Sequence, residues 1–362
     1  MKFVPENIKN IVPYPPGKPI EELERELGIS NSIKIASNEN PLGPSKKAVE
    51  AISKELNKLN RYPDGSCYYL KEKLAEKLGC DMENLIVGNG SSEIIEFVLR
   101  TFVQPGDEVI SSEKTFVIYK IVSNIIGAKY TEVPLKNGFY YDLAAIKSAI
   151  SDKTRVIFLS NPNNPTGTMF GQAEFDEFMS DISDDIVIAL DEAYIEYVEG
   201  SKKIDASKYL DKKNLIIMRT FSKIYGLAGL RIGYGIARKL IVEYLNKIRA
   251  PFNVNSVAQI AALASLNDDE HVLNSINMNN EGVRFLYGEF EKMGLEYVRS
   301  YTNFILVNIK GSGHELYQKM LNDGVIIRSM KNYGLDDFIR VTVGTSQENE
   351  RFINVLKKYV TS

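Results

Sequence analysis

The chain has 362 residues, 25% of them charged, with 44 Lys and Arg against 47 Asp and Glu and a formal net charge of −3. This balance argues against a nucleic-acid partner, because affinity for the phosphate backbone needs an excess of basic side chains. With only two His, two Cys and no Trp, the composition also disfavours disulfide frameworks, multi-His metal sites and most His-driven triads.

The sequence also predicts the cellular location of the protein and its number of domains. No apolar run approaches the roughly 18 residues of a membrane span, and the first residues turn polar too soon for a signal peptide. The two cysteines suit a reducing compartment. We therefore expect a cytoplasmic protein with no membrane partner and no bound metal, and its length suggests about two domains.

The N-terminal part contains two segments of loop type. Residues 13–19 are rich in Pro and predict an extended arm, because Pro cannot continue a helix, and a short helix is predicted over 20–27. Residues 36–44 form a second loop-like stretch, which precedes a predicted helix over 45–59.

From residue 85 onward, short apolar runs alternate with amphipathic segments. Helical periodicity appears at 92–103, 116–127 and 174–181. The alternation predicts an α/β fold: a large domain with a mostly parallel central sheet flanked by helices. The predicted strands are 85–87, 108–110, 129–133, 156–159, 186–190, 215–218 and 232–236.

The last third of the chain predicts a smaller α+β domain. A helix-rich region at about 239–292 is followed by apolar runs at 304–309, 325–328 and 338–343. We expect the N-terminal arm to complete this domain. The predicted division is 1–40 for the arm and part of the small domain, 41–270 for the large domain, and 271–362 for the C-terminal small domain.

Polar residues follow three of the strands, at the sheet edge where ligands of open α/β folds bind. One strand runs into a turn containing Asn164, the next into Asp191 and Tyr194, and the third into a segment with Lys223 and Arg231. Alone, each has an ordinary explanation as a cap, a turn or a solvated loop residue. Together they supply what pyridoxal 5'-phosphate needs: an amine, a carboxylate for the pyridine nitrogen, donors to the ring oxygen and groups for the phosphate.

A glycine-rich segment adds a candidate phosphate site. Residues 88–93 follow the first large-domain strand and open a helix, so free N–H groups and the hydroxyls of Ser91 and Ser92 can hold a phosphate. A Ser-based helix cap would give the same arrangement without a ligand.

With these motifs the chain resembles the fold-type I pyridoxal-phosphate-dependent aminotransferases, and within them those acting on histidinol phosphate. The resemblance runs from Tyr14 to the final helix. It implies that Lys223 forms the Schiff base and then acts as the general base, that Asp191 pairs with the pyridinium, and that Tyr194 and Asn164 bond the ring oxygen.

The resemblance also assigns the phosphate site. It implies that Ser222 and Arg231 hold the cofactor phosphate together with the segment of Ser91 and Ser92, and Thr220 is a further candidate.

Two aromatic residues belong to the same resemblance. Phe116 occupies the position of the aromatic that stacks on the cofactor ring, although a core Phe is a competing explanation. Tyr62 lies in a segment whose Tyr reaches into the neighbouring subunit's phosphate site, which implies a homodimer.

The substrate side is assigned less completely. The resemblance implies that Arg340 binds a carboxylate, that Arg328 and Tyr14 assist with the substrate phosphate, and that the loop of Asn38 lines the cleft. The division of the two arginines between carboxylate and phosphate stays open at this point.

The resemblance thus implies a transaminase that converts L-histidinol phosphate and 2-oxoglutarate to imidazole acetol phosphate and glutamate. Two alternatives share its motifs: an aromatic amino acid aminotransferase and a threonine-phosphate decarboxylase of the same fold.

Overall fold

The structure is a computed structural model, and it describes residues 3–360. The helices are α1 (Glu6–Lys9), α2 (Ile20–Leu27), α3 (Lys46–Glu55), α4 (Tyr68–Leu78), α5 (Ser91–Phe102), α6 (Ile118–Ile126), α7 (Leu143–Ser148), α8 (Gln172–Ser180), α9 (Lys239–Ile248), α10 (Ser256–Leu266), α11 (Asp269–Lys292), α12 (Gly313–Asn322) and α13 (Ser346–Tyr359). The strands are β1 (Ile33–Lys34), β2 (Leu85–Gly88), β3 (Glu108–Ser112), β4 (Lys129–Val133), β5 (Thr154–Ser160), β6 (Val187–Asp191), β7 (Leu215–Thr220), β8 (Gly233–Ala237), β9 (Glu296–Val298), β10 (Phe304–Asn308), β11 (Val325–Ile326), β12 (Arg328–Ser329) and β13 (Phe338–Thr342).

Within residues 3–360, the largest sheet has seven strands in the order β2-β8-β7-β6-β5-β3-β4. The pairings among β7, β6, β5, β3 and β4 are parallel, whereas β8 runs antiparallel to both β7 and β2. This confirms the predicted α/β class with a mostly parallel sheet.

Both faces of this sheet are buried. In β5, Phe158 packs into one apolar cluster and Leu159 into the other, because successive side chains of a strand point to opposite faces. Burial on both faces explains why these strands appear in the sequence as continuous apolar runs.

The register of the parallel strands places the predicted site residues side by side. Ser160 pairs with Asp191 at the ends of β5 and β6, and Asp191 pairs with Met218 of β7. The turn after β5 therefore begins beside the last residue of β6, and β7 continues two residues beyond it before its own following segment.

The C-terminal part carries its own core. β12, β13, β10 and β9 form an antiparallel sheet, and buried residues such as Ile305, Ile339 and Phe352 pack together beside it. Ile33 of β1 pairs in parallel with Val325 of β11, so residues near the N-terminus extend this part of the fold. The exact domain division stays a prediction.

Several elements differ from the sequence prediction. The single strand expected at 325–328 is two short strands, because β11 pairs with β1 whereas β12 pairs with β13. β9 was not predicted, and its three residues range from exposed to buried, a pattern too short to give a periodicity signal. The arm at 13–19 contains neither helix nor strand, as expected.

Residues 3–360 contain no helix long and apolar enough to cross a bilayer. The same residues hold no group of three or more His, Cys, Asp or Glu side chains that could bind a metal ion.

Candidate active site

A cavity opens at the carboxyl edge of the central sheet, with about 520 Å³ of space between protein atoms, part of it open to solvent. Every residue predicted to bind the cofactor lines it, with the exception of Tyr62. The lining residues are Ser91, Ser92, Phe116, Ser160, Asn164, Asp191, Ala193, Tyr194, Thr220, Ser222, Lys223 and Arg231. The tertiary structure thus brings together residues that span 141 positions of the chain, from 91 to 231.

Asp191 ends β6 and is buried, with 3% of its surface exposed. Burial raises the pKa of its carboxyl to about 6, against the opposing effect of its hydrogen bonds. Tyr119 donates to Oδ2 at 2.7 Å and the Ala193 N–H donates to Oδ1 at 3.1 Å. These two donors hold the carboxylate in one orientation, and a cationic ring nitrogen would further stabilise its charged form.

Lys223 follows β7 and brings an amine into the same cavity. Burial, reinforced by the positive charge of Arg340, lowers the pKa of this amine to about 8. Its Nζ donates to the carbonyl oxygen of Ser37 at 3.4 Å and lies 5.7 Å from the centroid of the Tyr194 ring. A lysine with a lowered pKa has a larger neutral fraction near neutral pH than a solvated lysine, and the neutral amine is the form that attacks a carbonyl.

Tyr194 and Asn164 lie on the side of the cavity next to the C-terminal part. Asn38 Nδ2 donates to the Tyr194 hydroxyl at 2.8 Å, and burial raises the pKa of that phenol. Asn164 Oδ1 accepts from Arg340 Nη1 at 2.5 Å. The phenol stays protonated near neutral pH, so it can donate a hydrogen bond to a ligand oxygen.

The opposite end of the cavity has the features of a phosphate site. Gly90 is the N-cap of α5 and supplies no side-chain cap, so the first N–H groups of the helix are available to an anion. The Arg231 guanidinium lies against Gly90, 2.5 Å from the place where a Cβ would stand, and Arg231 Nη1 donates to Ser222 Oγ at 3.3 Å. Helix terminus, hydroxyl and guanidinium fit a phosphate monoester.

Phe116 lies half-buried at the wall of the cavity. Its ring meets that of Tyr119 edge-on, with centroids 5.6 Å apart. It also packs against the apolar cluster on one face of the sheet. The position fits both a ring that stacks on the cofactor and a ring that closes the core.

The two predicted substrate arginines are neighbours. Arg328 of β12 lies directly opposite Arg340 of β13. The acceptors of both guanidinium groups are neutral oxygens: Asn164 and the Ala36 carbonyl for Arg340, and the Pro15 carbonyl for Arg328. Like charges on directly paired positions destabilise a sheet, and a bound anion would offset this cost.

Arg340 carries a further sign of an anion site. It is 6% exposed, and among the described residues its buried Nε has no hydrogen-bond partner. An unsatisfied buried donor costs about 1–3 kcal/mol, which a carboxylate bound to this guanidinium would offset.

Tyr14 and Asn38 join this side of the site. Arg328 lies over the Tyr14 ring at 5.1 Å from its centroid, which ties the N-terminal arm to β12. Asn38 is buried, and its backbone N–H donates to Thr342 Oγ1 at 2.9 Å. The loop of Asn38 therefore connects Tyr194 to the C-terminal sheet.

Tyr62 lies outside the cavity. Its side chain is 84% exposed and stacks on Phe252, with ring centroids 4.8 Å apart. A contribution to a second subunit stays a prediction.

Tyr119 is a residue of the site that the sequence prediction missed, as it missed Ser160 and Ala193 of the cavity lining. Tyr119 lies in α6, three positions after Phe116, and stacks on Phe158 with centroids 4.4 Å apart. The only signal in the sequence was a Tyr one helical turn beyond the aromatic candidate. Its contact with Asp191 depends on how α6 packs on the sheet.

The chain matches one known protein family over most of its length. Residues 30–356 match the model of the family described as aminotransferase class I and II. A histidinol-phosphate aminotransferase of Moorella thermoacetica is 48% identical over 355 residues, which cover 98% of this chain and 92% of that protein. A second one, from Desulfotalea psychrophila, is 46% identical and covers 98% of this chain and 94% of its own.

A solved structure agrees with the fold and the cofactor. The histidinol-phosphate aminotransferase of Sinorhizobium meliloti, determined in complex with pyridoxal-5'-phosphate, superposes with a TM-score of 0.90 at 25% identity. The match covers 99% of this chain and 98% of the other.

Proposed function

Because the chain belongs to the class I and II aminotransferase family, and is therefore a pyridoxal-phosphate-dependent enzyme, we propose that it transfers the amino group of L-histidinol phosphate to 2-oxoglutarate. The products are imidazole acetol phosphate and glutamate, and the reaction is a step of histidine biosynthesis. The relatives named histidinol-phosphate aminotransferase, which are 46% and 48% identical over nearly the whole chain, support this substrate.

One observation carries the proposal for the site. A buried carboxylate, a lysine of lowered pKa and a helix N-terminus with an arginine line one cavity. They supply, respectively, a partner for a pyridine nitrogen, a nucleophilic amine and a phosphate cradle. In our proposal, Asp191, Lys223 and Arg231 have these roles.

The bound cofactor would supply an electron sink for negative charge that develops on the substrate carbon. Lys223 would hold the cofactor covalently, and its free amine would act as the base that moves a proton to and from the substrate carbon. Asp191, held by the hydrogen bond from Tyr119, would keep the ring nitrogen protonated. The Tyr194 hydroxyl and the Asn164 amide would hold the ring oxygen, and Phe116 would pack against the ring.

Substrate recognition falls to the paired arginines. Arg340 lies closer to the reacting groups, since it bonds Asn164 and influences the pKa of Lys223. Arg328 lies farther along, against Tyr14 of the arm. We therefore assign the carboxylate of 2-oxoglutarate or glutamate to Arg340, and the substrate phosphate to Arg328 with Tyr14. The loop of Asn38 would line the same substrate cleft.

We also propose that the protein forms a homodimer and is located in the cytoplasm. Tyr62 is highly exposed in the single chain and is proposed to reach the phosphate site of a second subunit. Both Cys67 and Cys80 are free thiols, which fits a reducing compartment.

A half-reaction experiment tests the substrate. The cofactor-loaded protein is mixed with histidinol phosphate, phenylalanine or threonine phosphate in separate samples, and the absorbance of the bound cofactor is followed. We expect the fastest change with histidinol phosphate. A faster change with phenylalanine, or release of carbon dioxide from threonine phosphate, would overturn the proposed substrate or reaction type.

A further inference from the structure

The loop that opens α5 is held by a carboxylate to which the proposed reaction gives no role. Glu93 lies in the first turn of α5, and its Oε2 accepts two hydrogen bonds, from the Asn89 N–H and from Asn253 Nδ2, both at 2.6 Å. We propose that Glu93 is a positioning residue that fixes the phosphate-binding loop, residues 88–92, through its bonds to Asn89 and Asn253. This inference rests on the proposed function.

The bond to Asn89 constrains the backbone just ahead of Ser91. Asn89 and Gly90 form the turn between β2 and α5, and Glu93 Oε2 binds the N–H at its start. The carboxylate also lies close to Gly88, since a Cβ there would stand 3.3 Å from Glu93 Oε2. A turn that is tied at its start cannot rotate freely, so the N–H groups of Ser91 and Ser92 keep one direction.

Asn253 connects this carboxylate to a second part of the fold. Its Nδ2 also donates to the Val87 carbonyl oxygen at 3.3 Å, and its Oδ1 accepts from Arg249 Nη1 at 2.8 Å. Asn253 follows Phe252, the residue on which Tyr62 stacks. The segment between α9 and α10 therefore supports both the loop and the Tyr62 ring.

The charge of Glu93 explains why its role is indirect. A carboxylate repels a phosphate dianion, so this side chain is unsuited to bind the phosphate itself. Near a helix N-terminus, however, a carboxylate is stabilised by the helix dipole and by N–H donors. Glu93 thus acts on the loop, and the loop acts on the phosphate.

Binding of two cofactor forms separates positioning from general stability. Dissociation constants of pyridoxal phosphate and of pyridoxal, which lacks the phosphate, are measured for cofactor-free wild type, Glu93→Ala, Glu93→Gln and Asn253→Ala. We expect Glu93→Ala to weaken the binding of pyridoxal phosphate on the order of 10- to 100-fold and to leave the binding of pyridoxal unchanged. Glu93→Gln keeps an acceptor oxygen, so it should stay close to wild type, and Asn253→Ala should show the selective loss to a smaller degree.

A matched control lies on the same helix. Among residues 3–360, Glu96 forms an ion pair only with Arg100, at 3.1 Å on the surface, so Glu96→Ala should bind both cofactor forms like wild type. Equal weakening of both forms in Glu93→Ala and Asn253→Ala, or no weakening in either, would overturn the inference. Failure of the wild type to bind pyridoxal phosphate or to transfer an amino group would instead contradict the proposed function.

Discussion

Burial and neighbouring charges together set the pKa of the Lys223 amine. Burial and the charges of Arg340 and Arg231 lower the pKa of this amine, whereas Glu39 and Asp191 raise it, with a net value of about 8. The amine therefore loses its proton as the pH rises through this value, and only the neutral form can attack the cofactor aldehyde.

This balance predicts the pH dependence of cofactor attachment. The rate at which cofactor-free protein binds pyridoxal phosphate covalently should rise with a midpoint near pH 8 and level off above it. Arg340→Gln removes a positive charge that lowers the pKa, so the midpoint should move to higher pH. Stopped-flow absorbance across a pH series measures both. Lys223→Ala, the control, should show no covalent attachment and no turnover.

A midpoint that does not move in Arg340→Gln would contradict the electrostatic link between these two residues. Covalent attachment in Lys223→Ala would contradict the assignment of the lysine itself.

The hydrogen bond from Tyr119 to Asp191 leads to a second prediction, for the pH dependence of cofactor affinity. This hydrogen bond lowers the pKa of the carboxyl, which burial raises to about 6. Cofactor affinity should thus fall as the pH falls through about 6, where Asp191 takes up a proton. In Tyr119→Phe the midpoint should move up by roughly one to two pH units, since a hydrogen bond to a charged group contributes about 1.5–3 kcal/mol.

Titration of cofactor affinity against pH measures this shift. Tyr209→Phe is the matched control, because Tyr209 donates to Asp176 at 2.8 Å, outside the cavity, and should leave the midpoint unchanged. An unmoved midpoint in Tyr119→Phe would show that this hydrogen bond does not tune Asp191.

Among the secondary-structure elements, β8 packs closely against the start of α5, and the proposed phosphate site depends on this packing. A Cβ on Gly233 would stand 2.6 Å from the Ser91 backbone nitrogen and 2.8 Å from the Gly90 carbonyl carbon. These are backbone atoms, which cannot move aside as a flexible side chain can. Gly233 therefore sets how near the helix terminus comes to the sheet.

We predict that Gly233→Ala displaces the start of α5 and weakens pyridoxal phosphate binding on the order of tenfold or more, with a fall in melting temperature, because overpacking costs about 1–3 kcal/mol. Gly288→Ala is the control: it lies in α11 with no neighbour near the added methyl group, and Ala favours a helix over Gly. That variant should bind cofactor like wild type and be equally or more stable. Normal cofactor affinity in Gly233→Ala would contradict the proposed packing role.

At the scale of the molecule, apolar side chains are exposed along one stretch of chain. From α3 to Tyr62, the exposed fractions are 53% for Leu56, 54% for Leu59 and 84% for Tyr62, and Phe252, on which Tyr62 stacks, is 46% exposed. Large apolar side chains that are this exposed are typical of an interface where they lie together, as Tyr62 and Phe252 do. This stretch supports the proposal of a homodimer through Tyr62.

If each active site takes Tyr62 from the partner subunit, mixing two inactive variants should restore activity. Tyr62→Ala and Lys223→Ala should each have little activity alone. In a mixed dimer, the subunit that keeps Lys223 receives Tyr62 from its partner, so one site is complete and activity should return. Mixing after mild denaturation and refolding, followed by an activity assay and light scattering, measures this. A monomeric protein, or mixtures no more active than the separate variants, would contradict the shared site.

The family, the α/β class and most of the residues around the cavity follow from the sequence alone. Continuous apolar runs identify strands buried on both faces, and ligands of such sheets bind where the strands end, so Asn164, Asp191 and Lys223 could be found from their order along the chain. These signals are local, and each motif lies within a few residues of a strand end.

The contacts between these motifs and distant side chains become visible in the folded structure. The bond from Tyr119 to Asp191, the pairing of Arg328 with Arg340 and the bridge from Asn253 to Glu93 join positions that lie 72, 12 and 160 residues apart. Such contacts depend on helix packing and strand register, which periodicity does not specify. The lowered pKa of Lys223 and the raised pKa of Asp191 have the same origin, because burial and charges from other elements cause both.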